Sequence, residues 1–349
     1  MIMKYNKDYF DDVRLALEAV PDITALFNKK IFITGSTGMI CSAVVEILAL
    51  LNKEKDAGIG LILAGRNKDR IAKRFEGILE EDDFEFCEYD MTKDFGIEAD
   101  VDYIIHGAGN ADPAKITGFP VETVKGNIEG LMSLLELARS HKGSRLLFLS
   151  SGEIYGNKDF EAGKNKFTEE DYGYVDILNP RACYPMSKRA AENLCISYNK
   201  EYGVDTVIAR SCHIYGPSIT ESDSRATASF TRDAVAGRDI VMKSKGDQLR
   251  SYCYTLDCAS ALLTILIKGA PANAYNISNK DSVVTIRDMA DALARAGGVK
   301  VVFENPSDAE LKSYNMMNSS ALDATKLENL GWRACFGPER GAEATLKYV

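Results

Sequence analysis

Short apolar runs alternate with longer helix-like stretches through the first 210 residues of the chain. Residues 30–34, 59–64, 84–89, 103–106, 145–149 and 204–209 are brief, rich in Ile, Leu, Val and Phe, and bounded by Gly, Asp or Ser. Runs of this length, apolar at nearly every position, are the mark of strands covered on both faces. Residues 42–51, 122–140 and 184–202 have the 3.6-residue rhythm of helices between them. Regular alternation of the two predicts an α/β fold with a doubly wound parallel sheet. Residues 8–19 set Phe10, Val13, Leu15 and Leu17 among Asp, Glu and Arg, which predicts an amphipathic helix ended by Pro21. Residues 157–180 read as a polar loop. Beyond 210 the alternation loosens, with helices near 226–236 and 257–268 and a C-terminal piece over 327–349. The expected division is a helical extension over 1–28, a sheet domain over 29–210, and a smaller α/β lobe, mainly for substrate, over 211–349.

The turn after the first strand gives the sheet a chemistry. It reads Gly35-Ser36-Thr37-Gly38-Met39-Ile40-Cys41, spacing G-x-x-G-x-x-C, between a strand and a helix. Glycines there let the backbone approach a pyrophosphate, and the helix N-terminus offers N–H donors. This predicts a Rossmann-type NAD(P) site. Cys41 stands where a third glycine is usual, so close packing there must tolerate a small side chain. The second strand ends at Gly65-Arg66-Asn67 without the acid that holds an NAD ribose. Arg66 therefore leans towards NADP, unless it is only a surface arginine of the next helix. Strand ends further along place Asp90 and Met91, then Gly107 and Ala108, at the same edge, and Asn127 lies on the long helix after them.

Tyr184 and Lys188, four residues apart, share one helix face. An ammonium beside a phenol favours phenolate, so the pair can move protons below the phenol's ordinary pKa of about 10. By itself such a pair also occurs on solvated helices. Its meaning comes from what accompanies it: the glycine turn, and Ser150-Ser151-Gly152-Glu153-Ile154-Tyr155-Gly156 after strand five.

Those segments, in this order and spacing, resemble the extended short-chain dehydrogenase/reductases, the NAD-dependent epimerase/dehydratase family of nucleotide-sugar enzymes. Residues 210–217 (R-x-x-x-x-Y-G-P), residues 250–257 (R-x-Y-x-Y-x-x-D) and Leu330-Gly331-Trp332 match further family motifs. Residues 179–184 and 188–195, with Arg225, Phe230 and Arg250, most resemble the UDP-glucuronate decarboxylases of that group. The resemblance implies a catalytic set of Ser151, Glu153, Tyr184 and Lys188. Tyr184 would take the sugar's C4 hydroxyl proton, Lys188 would lower the phenol's pKa and bind the nicotinamide ribose, and Ser151 would hold the same oxygen. Glu153, on the same face as Ser151 if the strand end is extended, would act at C5 or on a carboxylate. Gly35, Thr37, Gly38, Met39, Ile40, Arg66, Asp90, Met91, Gly107, Ala108, Asn127, Tyr184, Lys188 and Ser211 would hold the cofactor. Ser151, Glu153, His213, Arg225 and Arg250 would hold the nucleotide-diphosphate sugar. His213 departs from the Asn usual before the Tyr-Gly-Pro turn. Gly152 stands where 4,6-dehydratases of the dTDP-glucose type carry an Asp, which counts against that mechanism.

The composition narrows the field. The net charge of −9, from 42 Lys and Arg against 51 Asp and Glu, disfavours nucleic acid. Eight cysteines without a C-x-x-C pair, and three dispersed histidines, give no metal-binding spacing and suit a reducing cytoplasm. No apolar run reaches the ~20 residues that span a bilayer. The expectation is a cytoplasmic homodimer, paired through helices 122–140 and 184–202. It would work through a 4-keto sugar as a decarboxylase, with a 4-epimerase or 4,6-dehydratase as the alternatives. A net reductase, or a non-catalytic NAD(P) sensor or scaffold, is the rival from another class.

Overall fold

The computed structural model describes residues 3–93, 99–161, 164–305 and 319–349. In chain order its strands are β1 (Lys30–Thr34), β2 (Gly60–Gly65), β3 (Phe84–Glu88), β4 (Tyr103–His106), β5 (Arg145–Ser151), β6 (Lys166–Phe167) and β7 (Asp205–Ser211). They continue with β8 (His213–Tyr215), β9 (Ile240–Met242), β10 (Leu249–Tyr254), β11 (Asn273–Ile277), β12 (Val283–Thr285), β13 (Val301–Phe303) and β14 (Ser319–Leu322). The helices are α1 (Lys7–Glu18), α2 (Met39–Lys55), α3 (Lys68–Arg74), α4 (Pro113–Gly118), α5 (Pro120–Ser140) and α6 (Cys183–Tyr202). After them come α7 (Ala226–Val235), α8 (Thr255–Lys268), α9 (Ile286–Gly297), α10 (Thr325–Glu328) and α11 (Pro338–Tyr348).

Seven parallel strands form the main sheet in the order β11-β7-β5-β4-β1-β2-β3. The order reverses between β4 and β1, and the carboxyl ends of β1, β4 and β5 open onto that point, where α/β sheets bind ligands. Ile31, Phe32 and Ile33 of β1, like Leu146, Leu147 and Phe148 of β5, are fully buried, which explains why these strands read as unbroken apolar runs. The Rossmann-type α/β fold expected from the sequence is therefore present.

The division at residue 210 does not follow the chain's path. After β8, α8 and β11 return to the main sheet, and β11 pairs in parallel with β7. Helix α8 is buried on all sides between α2 and the sheet. Strand β11 lies at the sheet edge and carries Asn273 and Asn276, so it lacks the apolar run that marks the central strands. Of the other late strands, β10, β12 and β14 build a smaller sheet, β12-β10-β14-β6 with β8 on β10, while β9 and β13 pair in parallel as a separate two-stranded sheet. The edge strand β6 comes from the segment read as a polar loop. The N-terminal helix is likewise part of the core: Tyr9, Val13 and Ala16 are fully buried among residues of α2, α8 and the C-terminal segment. Among the described residues no helix is long and apolar enough to cross a membrane.

Candidate active site

The glycine turn folds directly against the loop after β4. Gly35 has a φ of +68°, and a Cβ there would lie 2.8 Å from the Ala108 nitrogen and the Gly107 carbonyl carbon. Only glycine meets both demands. Cys41 takes the third-glycine place because Gly107 makes room for it. A Cβ on Gly107 would sit 2.2 Å from the Cys41 sulfur. Burial pushes the Cys41 thiol up to about 12, which leaves it inert packing. Helix α2 starts at Met39 with Gly38 as its N-cap and no side-chain cap, so its first N–H groups remain open to a phosphate. Ser36 Oγ and Asn127 Oδ1 are buried without a hydrogen-bond partner among the described residues. A cradle that a Cβ would fill, an uncapped helix start and two orphaned polar atoms fit a dinucleotide such as NAD. Thr37 and Ile40 line the same turn, half-buried. Asn127 spends its amide nitrogen on Ser187 Oγ at 2.9 Å, tying α5 to α6. Met91 packs beneath Gly126 and Gly130 of α5, and Asp90 accepts from Thr92 at 3.0 and 2.8 Å. Arg66 is exposed after β2, close enough for its charge to help lower the Asp90 pKa against the pull of burial.

Helix α6 carries Tyr184 and Lys188, both almost wholly buried. Lys188 Nζ donates to the Leu149 carbonyl at 2.8 Å and lies 4.5 Å from the centre of the Phe148 ring. Burial lowers its pKa to about 8, opposed by the nearby Glu192 carboxylate. The Tyr184 phenol is pushed the other way, up to about 12, by burial and then by the Glu153 charge. A Ser151 hydrogen bond and the Arg181 and Arg225 cations pull it back. Lys188 does not offset that burial. Its ammonium is 6.0 Å from the ring centre and is held by a carbonyl, so burial outweighs it. The charge of an oxidised nicotinamide would act against that burial.

Glu153 is not on an extended strand. β5 stops at Ser151, and a 3-10 turn, Gly152–Tyr155, begins there with Ser151 Oγ accepting from the Glu153 nitrogen at 3.2 Å. The turn nevertheless brings the Glu153 carboxylate to Arg181, whose Nη2 donates at 2.9 Å. Sequence reading missed Arg181 as a site residue. The signal was present: it lies three residues before Tyr184, in a turn set by Pro180 and capped by Asn179 Oδ1 on the Arg181 nitrogen at 2.9 Å. Ser151, Glu153, Arg181 and Tyr184 therefore form one cluster.

The remaining expected residues are placed less uniformly. His213 is exposed at the start of β8, yet protein atoms crowd its ring from the other sides. That packing, then the Arg250 and Arg225 cations, lowers its pKa to about 4. Arg250 is buried on β10, with Nη1 on the Leu249 carbonyl at 2.8 Å. Arg225 is committed to Asp223 at 2.5 Å, so its charge is already matched. Ser211 Oγ donates to the Ser150 carbonyl of the neighbouring strand at 3.3 Å. Among the described residues, no group of His, Cys, Asp and Glu is placed to hold a metal.

A dinucleotide cradle beside a Ser-Tyr-Lys set defines a short-chain dehydrogenase/reductase type of protein. The chain belongs to the NAD dependent epimerase/dehydratase family, whose pattern matches residues 31–278. It is 28% identical over 323 residues to UDP-glucuronic acid decarboxylase 1 of Xenopus tropicalis, covering 92% of this chain and 72% of the relative. It is 29% identical to UDP-glucuronic acid decarboxylase 6 of Arabidopsis thaliana, covering 87% and 84%. In structure it is similar to a UDP-glucose 4-epimerase of Thermotoga maritima with UDP-glucose, at TM-score 0.75, 23% identity and 91% and 98% coverage. The family expected from the sequence motifs is borne out.

Proposed function

We propose that the chain removes the C5 carboxylate of a nucleotide-linked uronic acid, with UDP-glucuronate as substrate, by way of a 4-keto sugar. The observation that carries this reading is the cluster of Ser151, Glu153, Arg181 and Tyr184 at the edge of the glycine cradle, with Lys188 behind it. The names of the similar decarboxylases support the substrate. A nicotinamide held in the glycine cradle would supply reversible hydride acceptance at the sugar's C4, which would make the cycle redox-neutral. Tyr184 takes the C4 hydroxyl proton and Ser151 holds the oxygen as it becomes a ketone. The carboxylate is then β to a carbonyl. Breaking the bond between C5 and the carboxyl carbon releases CO₂ and leaves an enolate, which is protonated at C5. Lys188, held by the Leu149 carbonyl, would bind the hydroxyls of the nicotinamide ribose. Arg250 and His213 hold the diphosphate from the substrate side.

Two finer assignments belong to this reading. Gly65 in place of an acid and Arg66 exposed beyond it lean the choice between NAD and NADP towards NADP; the nucleotide that co-purifies tests this. Exposed Val121, Val124 and Met132 on α5, with Met186 and Ile196 on α6, support a homodimer through these two helices, checked by light scattering.

Cofactor-loaded protein is incubated with UDP-glucuronate, UDP-glucose, UDP-galactose and dTDP-glucose, and the products are read by mass spectrometry and NMR. Loss of CO₂ from UDP-glucuronate is expected. An isobaric product would replace the reading with an epimerase, loss of water with a dehydratase, and no turnover at all with a non-catalytic cofactor binder.

A further inference from the structure

Three cations surround the Tyr184 phenol and Glu153, and two of them are committed. Lys188 donates to the Leu149 carbonyl at 2.8 Å. Arg225 holds Asp223 at 2.5 Å. Arg181 is different. It gives one N–H to Glu153 at 2.9 Å, and its other guanidinium N–H groups have no partner among the described residues. Its side chain is 35% exposed and that of Glu153 37%, so the pair opens to solvent rather than into the core. The turn that carries it is rigid, with Pro180 at its start and Asn179 as its cap. A guanidinium with free donors on a fixed backbone is preorganised for a second carboxylate.

We infer that Arg181 recognises the substrate's own carboxylate, holding it beside Glu153, and so sets the preference for a uronic acid over a neutral hexose. This rests on the reading above. C5 adjoins C4, so a sugar whose C4 hydroxyl meets Tyr184 carries its C5 substituent only a few ångströms from that phenol. Arg181 is three residues before Tyr184, and its charge acts on that side chain. A uronate entering without it would set its carboxylate against Glu153 with no counter-charge. With it, two carboxylates share one planar cation, as guanidinium geometry allows. Glu153 then acts as the element that tunes this grip: while it occupies one edge of the guanidinium, the sugar takes the other.

The test is calorimetric binding of UDP-glucuronate, UDP-glucose and UDP to the cofactor-loaded protein and to Arg181→Gln, Arg181→Lys and Glu153→Gln. Loss of a charged hydrogen-bonded contact predicts about 10- to 100-fold weaker UDP-glucuronate binding by Arg181→Gln. UDP-glucose and UDP should stay within about twofold, since neither carries the carboxylate. Arg181→Lys should recover part of the loss, and Glu153→Gln should tighten UDP-glucuronate alone. Thermal melting confirms that each variant is folded; if Arg181→Gln is not, the lysine variant gives the same comparison. Equal weakening of both sugars, or of neither, would overturn the inference. Wild-type protein that binds UDP-glucuronate but releases no CO₂ would defeat the proposed reaction and leave the carboxylate contact to be judged by the same titrations.

Discussion

Helix α6 runs between two Glu–Arg pairs that share a chemistry and differ in their surroundings. At its far side Glu192 meets Arg210 at 2.7 Å, with the side chains 10% and 4% exposed. Every edge of that pair is used: Ser150 donates to Glu192 at 2.5 Å, and Arg210 also reaches the Tyr155 hydroxyl and the Glu169 carbonyl, each at 2.9 Å. At the near side Glu153 meets Arg181 through one contact, with both side chains over a third exposed. Tyr184, Lys188 and Glu192, four residues apart, form a stripe from the open pair to the sealed one. A saturated, buried pair has nothing left to offer a ligand and a large penalty if broken. An open pair with spare donors can exchange partners at little cost.

That contrast can be attacked directly. Arg210→Ala leaves Glu192 buried and unpaired, and should destabilise the protein by about 3–5 kcal/mol in denaturant unfolding. A loss under ~1 kcal/mol would mean that sealing does not set its role. Tyr184→Phe, in the same stripe, should leave unfolding nearly unchanged while lowering turnover about 10²–10⁴-fold, the usual worth of a positioned acid–base group. Near-normal turnover would remove the phenol from the assigned chemistry. Arg181→Ala should change stability by no more than about 1 kcal/mol, because its pair is solvent-screened. A larger loss would make the open pair structural like the other.

The smallest effect concerns His106 at the end of β4, behind Lys188. Thr34, Tyr89 and Phe148 surround it, and Lys188 is the charged group that acts on it. Burial, then the Lys188 charge, depresses its pKa from 6.5 to about 3. A depressed folded-state value contributes stability that is present above the unfolded pKa and lost as pH falls through the folded one. Acid unfolding should therefore steepen below about pH 6.5 and continue towards pH 3, and His106→Gln should flatten that limb. An unchanged pH profile in the variant would place the acid sensitivity elsewhere, such as at the carboxylates.

Much of this was legible along the chain. The central strands announced themselves because both their faces are buried. The glycine turn did so because a positive φ at Gly35 and the approach of Gly107 leave no space for a side chain. Tyr184 and Lys188 share a helix face by their spacing, and Ser151 was legible through the family-like segment over residues 150–156. Strand β11 was not, since an edge strand needs no continuous apolar run. The role of the N-terminal helix was not either: an amphipathic pattern reports an apolar face but not that Tyr9 inserts fully into the core. Glu153 was chosen for the wrong geometry, an extended strand end, and reaches the cluster through a 3-10 turn instead.

The sequence by itself determined the fold class, the glycine turn after the first strand and the placing of Tyr184 and Lys188 on one helix face, because these depend on local periodicity and on steric limits of single residues. The tertiary structure decided which charges are available. Arg181, Arg210, Arg225 and Arg250 look alike as letters, yet Arg210 is sealed on Glu192, Arg225 is matched by Asp223, Arg250 is buried on its strand, and Arg181 stands beside Glu153 and Tyr184 with donors to spare. The same holds for Tyr184, whose pKa the helical spacing to Lys188 alone would lower and burial raises to about 12. Charge and desolvation depend on everything packed around a group, and that surrounding is assembled from segments distant in the chain.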